Sequence, residues 1–388
     1  MESQAEKYRH SAELGDAKAQ FSFANCYRLG EGVERDMAKA VEWFTKAAEQ
    51  GHTRAQFNLG WCYQNGDGVE KDMAKAVEWY TKAAEQGDTE AQYNLGWCYE
   101  HGEGVEKDMA KAVEWYTKAA ELGNAKAQHK IGWCYQYGKG VRENVQEAVG
   151  WYRRAAEQGY PAAQCSLGVC YSIGEGVEKD KAKAVEWYSK AAEQGYAPAQ
   201  YNLGESYDWA DGVDLNLEKA FEWYRKAAEQ GYVYAQYDLG VCYMEGKGTK
   251  ENPKEAAKWL HEAAEQDFLD AQFLLGDCYK NGYGVNVDLK EAFKWFCKAA
   301  SGGYDDAFYE LGVCYENGEG VEKDMRTAVE WYQKAAEHGN DEAQYKLGVC
   351  YENGEGVGKD MQKAVKWYQA ATKYGNTQAK EALQRMGK

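Results

Sequence analysis

A spacing of 36 residues, held from one end of the chain to the other, is the feature that most constrains the fold. Ten tryptophans recur at this spacing without insertion or deletion: Trp43, Trp79, Trp115, Trp151, Trp187, Trp223, Trp259, Trp295, Trp331 and Trp367. A unit of this length cannot bury its own apolar face and must stack on its neighbours. The period therefore predicts a solenoid whose natural product is a long binding surface.

Residues 51–86 represent the repeat and predict a helical hairpin. Ala55, Leu59 and Cys62 recur at three- and four-residue steps, which is typical of the buried stripe of an amphipathic helix over 53–64, called helix A. Gly60 interrupts this helix at a cost of about 1 kcal/mol against alanine. Its recurrence in later repeats predicts a close approach of a second helix.

Helix B is predicted from Met73 to Glu85, with Asp72 as its N-cap and Gly87 ending it in a left-handed conformation. The predicted fold class is all-α, an α-solenoid forming a right-handed superhelix of about ten 36-residue helix-turn-helix repeats with half-repeat caps. We expect a single domain over 1–388, with a capping helix at 2–14, ten tandem repeats at 15–374 and a second capping helix at 375–388.

Charge and hydropathy narrow the partner class. The 388 residues include 63 acidic and 46 basic side chains, for a net charge of −17. Such a chain repels phosphate backbones and anionic lipid, so we expect neither nucleic acid nor membrane as a partner, and favour a basic protein segment. There is no run of 18 apolar residues and no signal-peptide pattern. We therefore expect a soluble, cytoplasmic protein.

The cysteines and histidines indicate no chemistry. Nine of the eleven cysteines occupy one repeat position, on helices that would stack about 9–10 Å apart. This spacing is too long for a disulfide and predicts small buried thiols in a reducing compartment. The six histidines form no metal-binding pair, and no serine or cysteine has a recognisable base beside it. We expect no catalytic residue, no metal and no cofactor.

The representative repeat carries a pattern of residues that resembles a known family. The pattern is carried by Ala55, Leu59, Gly60, Tyr63, Gly66, Gly68, Val69, Asp72, Lys75, Ala76, Trp79, Tyr80, Lys82, Ala83, Ala84 and Gly87. It resembles the Sel-one-like repeat, a relative of the tetratricopeptide repeat, and recurs over nearly the whole chain. The resemblance implies an adaptor or assembly scaffold whose helix A lines a concave side.

A cysteine-rich, secreted branch of that family is associated with penicillin binding and β-lactamase-like activity. Its hairpins are stapled by cysteines about eight residues apart. The matching places here are Ala84 and Gln92, which cannot form that bridge. The chain is therefore similar to the reducing, adaptor-type branch.

Function is expected where the repeats differ on one surface. Two helix A positions off the core stripe carry an aromatic row and three consecutive tryptophans, and acids occupy these and neighbouring positions further along. The candidate partner-binding residues of the groove are Phe57, Trp61, Tyr93, Trp97, His129, Trp133, Tyr201, Glu205, Asp208, Tyr237, Asp238 and Asp277. Two alternatives stay open: the rings fill the inner wall, and the acids form a merely solvated face.

The leading hypothesis is a non-enzymatic, monomeric scaffold that binds a protein or peptide segment in its concave groove. A second hypothesis is an engineered or recently amplified stack without an evolved partner, because residues 69–85 and 105–121 are identical. A third, a β-lactamase-like hydrolase, rests only on the cysteine-rich relatives. The segment 208–212, where Ala210 replaces the first turn glycine, indicates either a decayed repeat or a local bend or site.

Overall fold

The computed structural model describes residues 4–387, and Glu2, Ser3 and Lys388 of the predicted capping segments lie outside them. Within that range the chain contains α-helices joined by turns, and no β-strand. It divides into two compact units, unit 1 (Met1–Ala199) and unit 2 (Gln200–Lys388), and the division falls within α12 (Ala197–Asp208).

Unit 1 begins with eleven helices in alternating helix B and helix A order. They are α1 Gln4–Glu13, α2 Ala17–Leu29, α3 Met37–Glu49, α4 Thr53–Asn65, α5 Met73–Glu85, α6 Thr89–His101, α7 Met109–Glu121, α8 Ala125–Tyr137, α9 Val145–Glu157, α10 Pro161–Ile173 and α11 Lys181–Glu193. The even-numbered helices correspond to helix A and the odd-numbered ones to helix B. The predicted all-α solenoid of helical hairpins is confirmed.

After α12, unit 2 continues the same alternation over ten helices. They are α13 Leu217–Ala228, α14 Val233–Glu245, α15 Pro253–Ala264, α16 Leu269–Asn281, α17 Leu289–Ser301, α18 Asp305–Asn317, α19 Met325–Glu337, α20 Asp341–Asn353, α21 Met361–Lys373 and α22 Thr377–Arg385. Among residues 4–387 no helix combines the length and apolar character needed to cross a bilayer.

Capping residues set the ends of the two helices of the type repeat. The Asp72 carboxylate accepts a hydrogen bond from the Lys75 backbone N–H at 3.0 Å, which starts α5. Gly66 takes φ +77° at the end of α4 and donates its N–H to the Cys62 carbonyl oxygen. Gly87, with φ +86°, follows the end of α5 as predicted.

Two glycines allow the helices to approach closely. A Cβ on Gly60 would lie 2.8 Å from Cδ1 of Tyr80, a fully buried ring of helix B, so only glycine fits beneath that ring. A Cβ on Gly68 would collide with the Met37 carbonyl oxygen of the preceding repeat. The first contact packs the hairpin and the second packs neighbouring repeats, which explains why both glycines recur.

A ladder of buried glutamines also joins consecutive repeats. Gln56 donates its Nε2 to the Ala48 carbonyl oxygen at 3.0 Å, and its Oε1 accepts from Nε2 of Gln86 at 2.7 Å. Gln92 likewise donates to the Ala84 carbonyl oxygen at 3.1 Å. A hydrogen bond therefore joins the two places that the cysteine-rich relatives staple.

The cysteines lie in the core as predicted. None of the eleven cysteines forms a disulfide, and every one except the half-buried Cys297 is buried. Burial, followed by the nearby Asp67 carboxylate, raises the pKa of Cys62 to about 12. A thiol with so high a pKa is a small hydrophobe rather than a nucleophile.

Candidate protein-binding surfaces

The aromatic row of helix A rests on the buried aromatic residues of helix B. The ring centroid of Phe57 lies 5.9 Å from that of Tyr80, that of Tyr93 lies 5.5 Å from Tyr116, and that of His129 lies 5.4 Å from Tyr152. Tyr201 makes the same contact with Tyr224 at 5.7 Å. The row residues are half-buried. Each ring therefore helps to pack its repeat and still presents part of its surface to solvent.

The three tryptophans predicted to bind a partner lie in unit 1. Trp61 is 41% exposed and lines a shallow depression with Arg28, Arg35 and Asp67. Half-buried Trp97 stacks on the exposed His101, one turn along the same helix, with 4.4 Å between ring centroids.

Trp133 packs in a similar way within its own helix. Its ring lies 5.6 Å from that of the exposed Tyr137, and the Lys130 ammonium lies 4.4 Å from its centroid. This lysine in turn pairs with Glu100 at 2.7 Å. Trp97 and Trp133 therefore make ring contacts along their own helices, and all three tryptophans retain exposed edges.

The acids predicted to bind a partner lie in unit 2, where the structure separates them into two kinds. Asp208 belongs to the packed frame, because its side chain is only 7% exposed and its Oδ2 accepts from Lys247 at 2.8 Å. The Tyr224 hydroxyl also donates to Asp208, at 3.3 Å. Asp208 is therefore already neutralised and is not a free charge for a ligand.

Glu205, Asp238 and Asp277 are of the other kind, because none has an ion-pair partner within 4 Å among residues 4–387. The Tyr201 hydroxyl lies near the carboxylates of Glu205 and Asp238 and favours their charged forms. Burial raises the pKa of Glu205 and raises that of Asp238 to about 6, against a weaker lowering by Tyr201. The pKa of Asp277 is also raised to about 6, by burial and then by Glu310. These carboxylates favour a nearby cation.

The structure also reveals aromatic residues that the sequence analysis missed. The residue before helix A is a polar cap in most of unit 1: the side chains of Asp16, Asp88 and Asn124 accept the N–H of the residue three positions on, at 2.6–2.9 Å. Tyr160 in unit 1 and Tyr232, Phe268 and Tyr304 in unit 2 hold this position, and none makes a side-chain cap. A missing cap costs about 1 kcal/mol. Reading the cap position along the repeats would have shown this change.

His129 and Ser166 bring an imidazole and a hydroxyl into contact, as in the base and nucleophile of a catalytic pair. His129 Nε2 lies 3.1 Å from Ser166 Oγ, a contact that the sequence spacing did not indicate. Burial, followed by the Lys130 charge, lowers the pKa of His129 to about 4. At neutral pH the imidazole is therefore a weak base, poorly matched to activating a hydroxyl. No cluster of metal-ligating side chains occurs in the part of the chain that the structure describes.

The chain matches known proteins over nearly its whole length. Ten segments fit the family model of the Sel1 repeat: 17–52, 53–88, 89–124, 125–160, 161–196, 197–232, 233–268, 269–304, 306–340 and 341–376. The crystal structure of c5321, a protective antigen present in uropathogenic Escherichia coli strains, is 38% identical with a TM-score of 0.82; the match covers 97% of this chain and 80% of that one.

A Sel1 repeat protein from Oxalobacter formigenes is 36% identical, with a TM-score of 0.62 and coverage of 79% of this chain and 88% of that one. Comparison with curated protein sequences gives no match. The structural similarity to these two Sel1 repeat proteins agrees with the helical solenoid described above.

Proposed function

The chain belongs to the Sel1 repeat family, and from this premise we propose that it is a non-enzymatic scaffold that binds a protein segment in a groove lined by helix A. Proteins of this repeat class generally serve as scaffolds for protein-protein interaction. The observation that supports a groove is the row of half-buried rings on equivalent helices, because a part-exposed aromatic ring held rigidly is a typical binding anchor. The expected partner is a protein or peptide and requires no cofactor.

The proposed binding-site residues, which either contact the ligand or support a residue that does, form one set in each unit. In unit 1 they are Phe57, Trp61, Tyr93, Trp97, His129 and Trp133, and in unit 2 they are Tyr201, Glu205, Asp208, Tyr237, Asp238 and Asp277. Asp208 contributes by holding Lys247 rather than by meeting the ligand. Buried cysteines without disulfides support a reducing compartment such as the cytoplasm.

The unit 1 set is tested by replacing Trp61, Trp97 and Trp133 together with alanine. We expect the variant to lose at least about tenfold in affinity for the protein that wild type captures, because the exposed edges of three rings are removed. Capture from lysate is read by mass spectrometry, the affinity for the captured protein is then measured with purified components, and circular dichroism verifies unchanged helicity.

The matched control replaces the exposed Glu42, Glu78 and Glu114 of helix B with alanine and should bind as wild type does. Equal capture by the tryptophan variant would contradict the assignment of the unit 1 set. If wild type captured nothing specific, the amplified stack without an evolved partner would become the better explanation.

A further inference from the structure

Three consecutive repeats of unit 2 replace the polar cap of helix A with an aromatic residue. The helices α14, α16 and α18 follow Tyr232, Phe268 and Tyr304 and have no side-chain cap. The next helix, α20, returns to a polar cap, in which Asn340 accepts from the Ala343 N–H at 2.8 Å. Tyr160 of unit 1 also precedes a helix without a side-chain cap, so the replacement spans a stretch of neighbouring repeats, and in unit 2 its rings lie beside the aromatic row.

The rings at the cap position merge with the row into one continuous cluster. Tyr201 contacts Tyr232 at 5.4 Å and Tyr234 at 6.0 Å between ring centroids. Phe268 contacts Tyr234 at 5.5 Å and Tyr237 at 5.1 Å. We call these five residues the aromatic patch. Tyr234 is 48% exposed and the other four are half-buried, so the patch presents ring faces and edges to solvent.

Tyr304 continues the same arrangement in the next repeat. Its ring centroid lies 5.0 Å from that of Phe273, the row residue of that repeat. Rings held by neighbouring rings lose little freedom on binding, which makes such a surface an efficient anchor.

Carboxylates border the aromatic patch. Burial, followed by the charges of Asp238 and Glu205, raises the pKa of the Tyr201 hydroxyl, and burial with the charges of Asp270 and Asp238 does the same for Tyr237, so these carboxylates lie near the rings. Lys247, whose charge lowers the pKa of Asp238 against the larger effect of burial, is itself engaged by Asp208 at 2.8 Å. The patch therefore combines ring faces with negative charge that the protein does not neutralise within ion-pair distance.

We propose that the aromatic patch docks an extended protein segment in which arginine side chains alternate with apolar ones. A guanidinium stacks on ring faces and pairs with carboxylates at the same time, while the apolar residues cover the remaining ring surface. The charge of the patch disfavours nucleic acid, and the net charge of −17 disfavours a second copy of this chain. The inference rests on the proposed function and places the partner-selective contacts in unit 2.

The test uses the full chain and a fluorescein-labelled synthetic peptide of about 12 residues with alternating arginine and leucine, read by fluorescence anisotropy at near-physiological salt. The key variant combines Tyr232→Asn, Phe268→Asn and Tyr304→Asn, which supplies the cap used at Asn340 and so keeps the helix starts satisfied. We expect the peptide to bind wild type and to lose at least about tenfold in affinity for this variant. Circular dichroism and the unfolding midpoint verify that the variant is folded.

Two comparisons separate ring contacts from general acidity. Glu205→Gln with Asp238→Asn removes two carboxylates at the patch, and Glu222→Gln with Glu262→Gln removes two exposed ones on helix B. The first pair should weaken binding by about fivefold or more and the second by less than about twofold. Peptides in which glutamine replaces arginine, or serine replaces leucine, should bind wild type at least about tenfold more weakly.

The outcomes distinguish this inference from the proposed function. Loss with the patch variant and retention with the Trp61, Trp97 and Trp133 alanine variant support it. Loss with the tryptophan variant alone overturns the patch and keeps the scaffold with its unit 1 site. Equal loss with both carboxylate pairs, or no binding by wild type, overturns the arginine-rich occupant, whatever protein the scaffold captures.

Discussion

Unit 1 pairs an acid of one repeat with a lysine of the next, Glu100 with Lys130, whereas two repeats of unit 2 carry acids, Asp208 and Asp238, at both of these positions. In unit 1, Glu100 accepts from the Tyr116 hydroxyl at 2.7 Å and pairs with Lys130 at 2.7 Å. In unit 2, Asp238 occupies the repeat position of Lys130 but has only the Tyr201 hydroxyl and a distant lysine as favourable partners. A lysine that neutralises a neighbour in one unit is thus replaced by an acid that adds to the charge in the other.

The helix starts differ in the same direction. Asp88 and Asn124 cap their helices in unit 1, whereas Tyr232 and Phe268 leave theirs uncapped in unit 2. The repeats accept either a polar or an aromatic residue before helix A because the packing of the helices depends on the glycines and the buried rings instead. The costs of missing caps begin at Tyr160 of unit 1 and are concentrated in unit 2, where Tyr232 and Phe268 belong to one surface, the aromatic patch. This coincidence favours binding rather than random decay.

We expect the largest changes in the free energy of unfolding on replacing the carboxylates of Asp238 and Glu100. Asp238→Asn is expected to stabilise the protein at pH 8 by about 1–3 kcal/mol, because the ionised carboxylate is disfavoured there by burial. Glu100→Gln should instead destabilise by about 1–2 kcal/mol, because Lys130 loses its counter-charge. Urea denaturation at fixed temperature measures both changes.

The pH dependence of the free energy of unfolding independently tests whether the ionised Asp238 carboxylate destabilises the folded protein. A carboxyl whose pKa is raised to about 6 in the folded state binds more protons there than in the unfolded chain, between about pH 4 and 6. Its contribution to stability is therefore present at low pH and is lost as pH rises through 6. Asp238→Asn should remove this part of the decline. Destabilisation by Asp238→Asn at pH 8 would show that the carboxylate supports the fold instead.

Breaks in the glutamine ladder also differ between the units, and we expect their effect on the free energy of unfolding to be smaller. Leu122 stands where Gln86 donates in the preceding repeat, and the Oε1 of Gln92 is consequently buried without a hydrogen-bond partner. Leu122→Gln should supply the missing donor and raise the free energy of unfolding by about 1 kcal/mol.

In unit 2 the equivalent position is Gly302, and the Oε1 of Gln272 lacks a partner in the same way. A Cβ at Gly302 would collide with the Leu269 side chain. Gly302→Gln should therefore gain less than Leu122→Gln, or nothing. Thermal unfolding of the two variants tests the difference, and an equal gain would mean that Leu269 moves aside without cost.

Much of the fold could be predicted from the sequence because a repeat presents each rule many times. Gly60 and Asp72 recur, so the close approach of the helices and the helix start were both readable from spacing. The role of the buried glutamines could not be predicted from the spacing, because the sequence pattern does not show which group a polar residue on the core stripe hydrogen-bonds to. Its acceptor, the Ala48 carbonyl oxygen for Gln56, belongs to the preceding helix.

The sequence predicts where the candidate surface residues lie, but not whether each side chain is packed against a neighbour or paired with an opposite charge. The off-core positions of Phe57 and Asp238 were recognised, whereas the contact of the Phe57 ring with Tyr80 depends on tertiary packing. Asp208 and Asp238 look alike in sequence, and only the structure shows that Lys247 pairs with the first. The aromatic residues before helix A were missed because an N-cap is recognised by a polar side chain, and an aromatic residue gives no such signal.

The smallest expected effect concerns the irregular turn of unit 2. Ala210 takes φ +55°, a left-handed conformation that glycine adopts at the same place in unit 1, as Gly66 does with φ +77°. Ala210→Gly should raise the free energy of unfolding by about 0.5–1 kcal/mol, and Gly66→Ala should lower it by a similar amount, because a Cβ there meets only ordinary contacts. Urea denaturation measures both. Unchanged binding of the arginine-leucine peptide by Ala210→Gly would identify a decayed turn, whereas weaker binding would mean that the strained turn, with the 72% exposed Trp209 beside it, belongs to the docking surface.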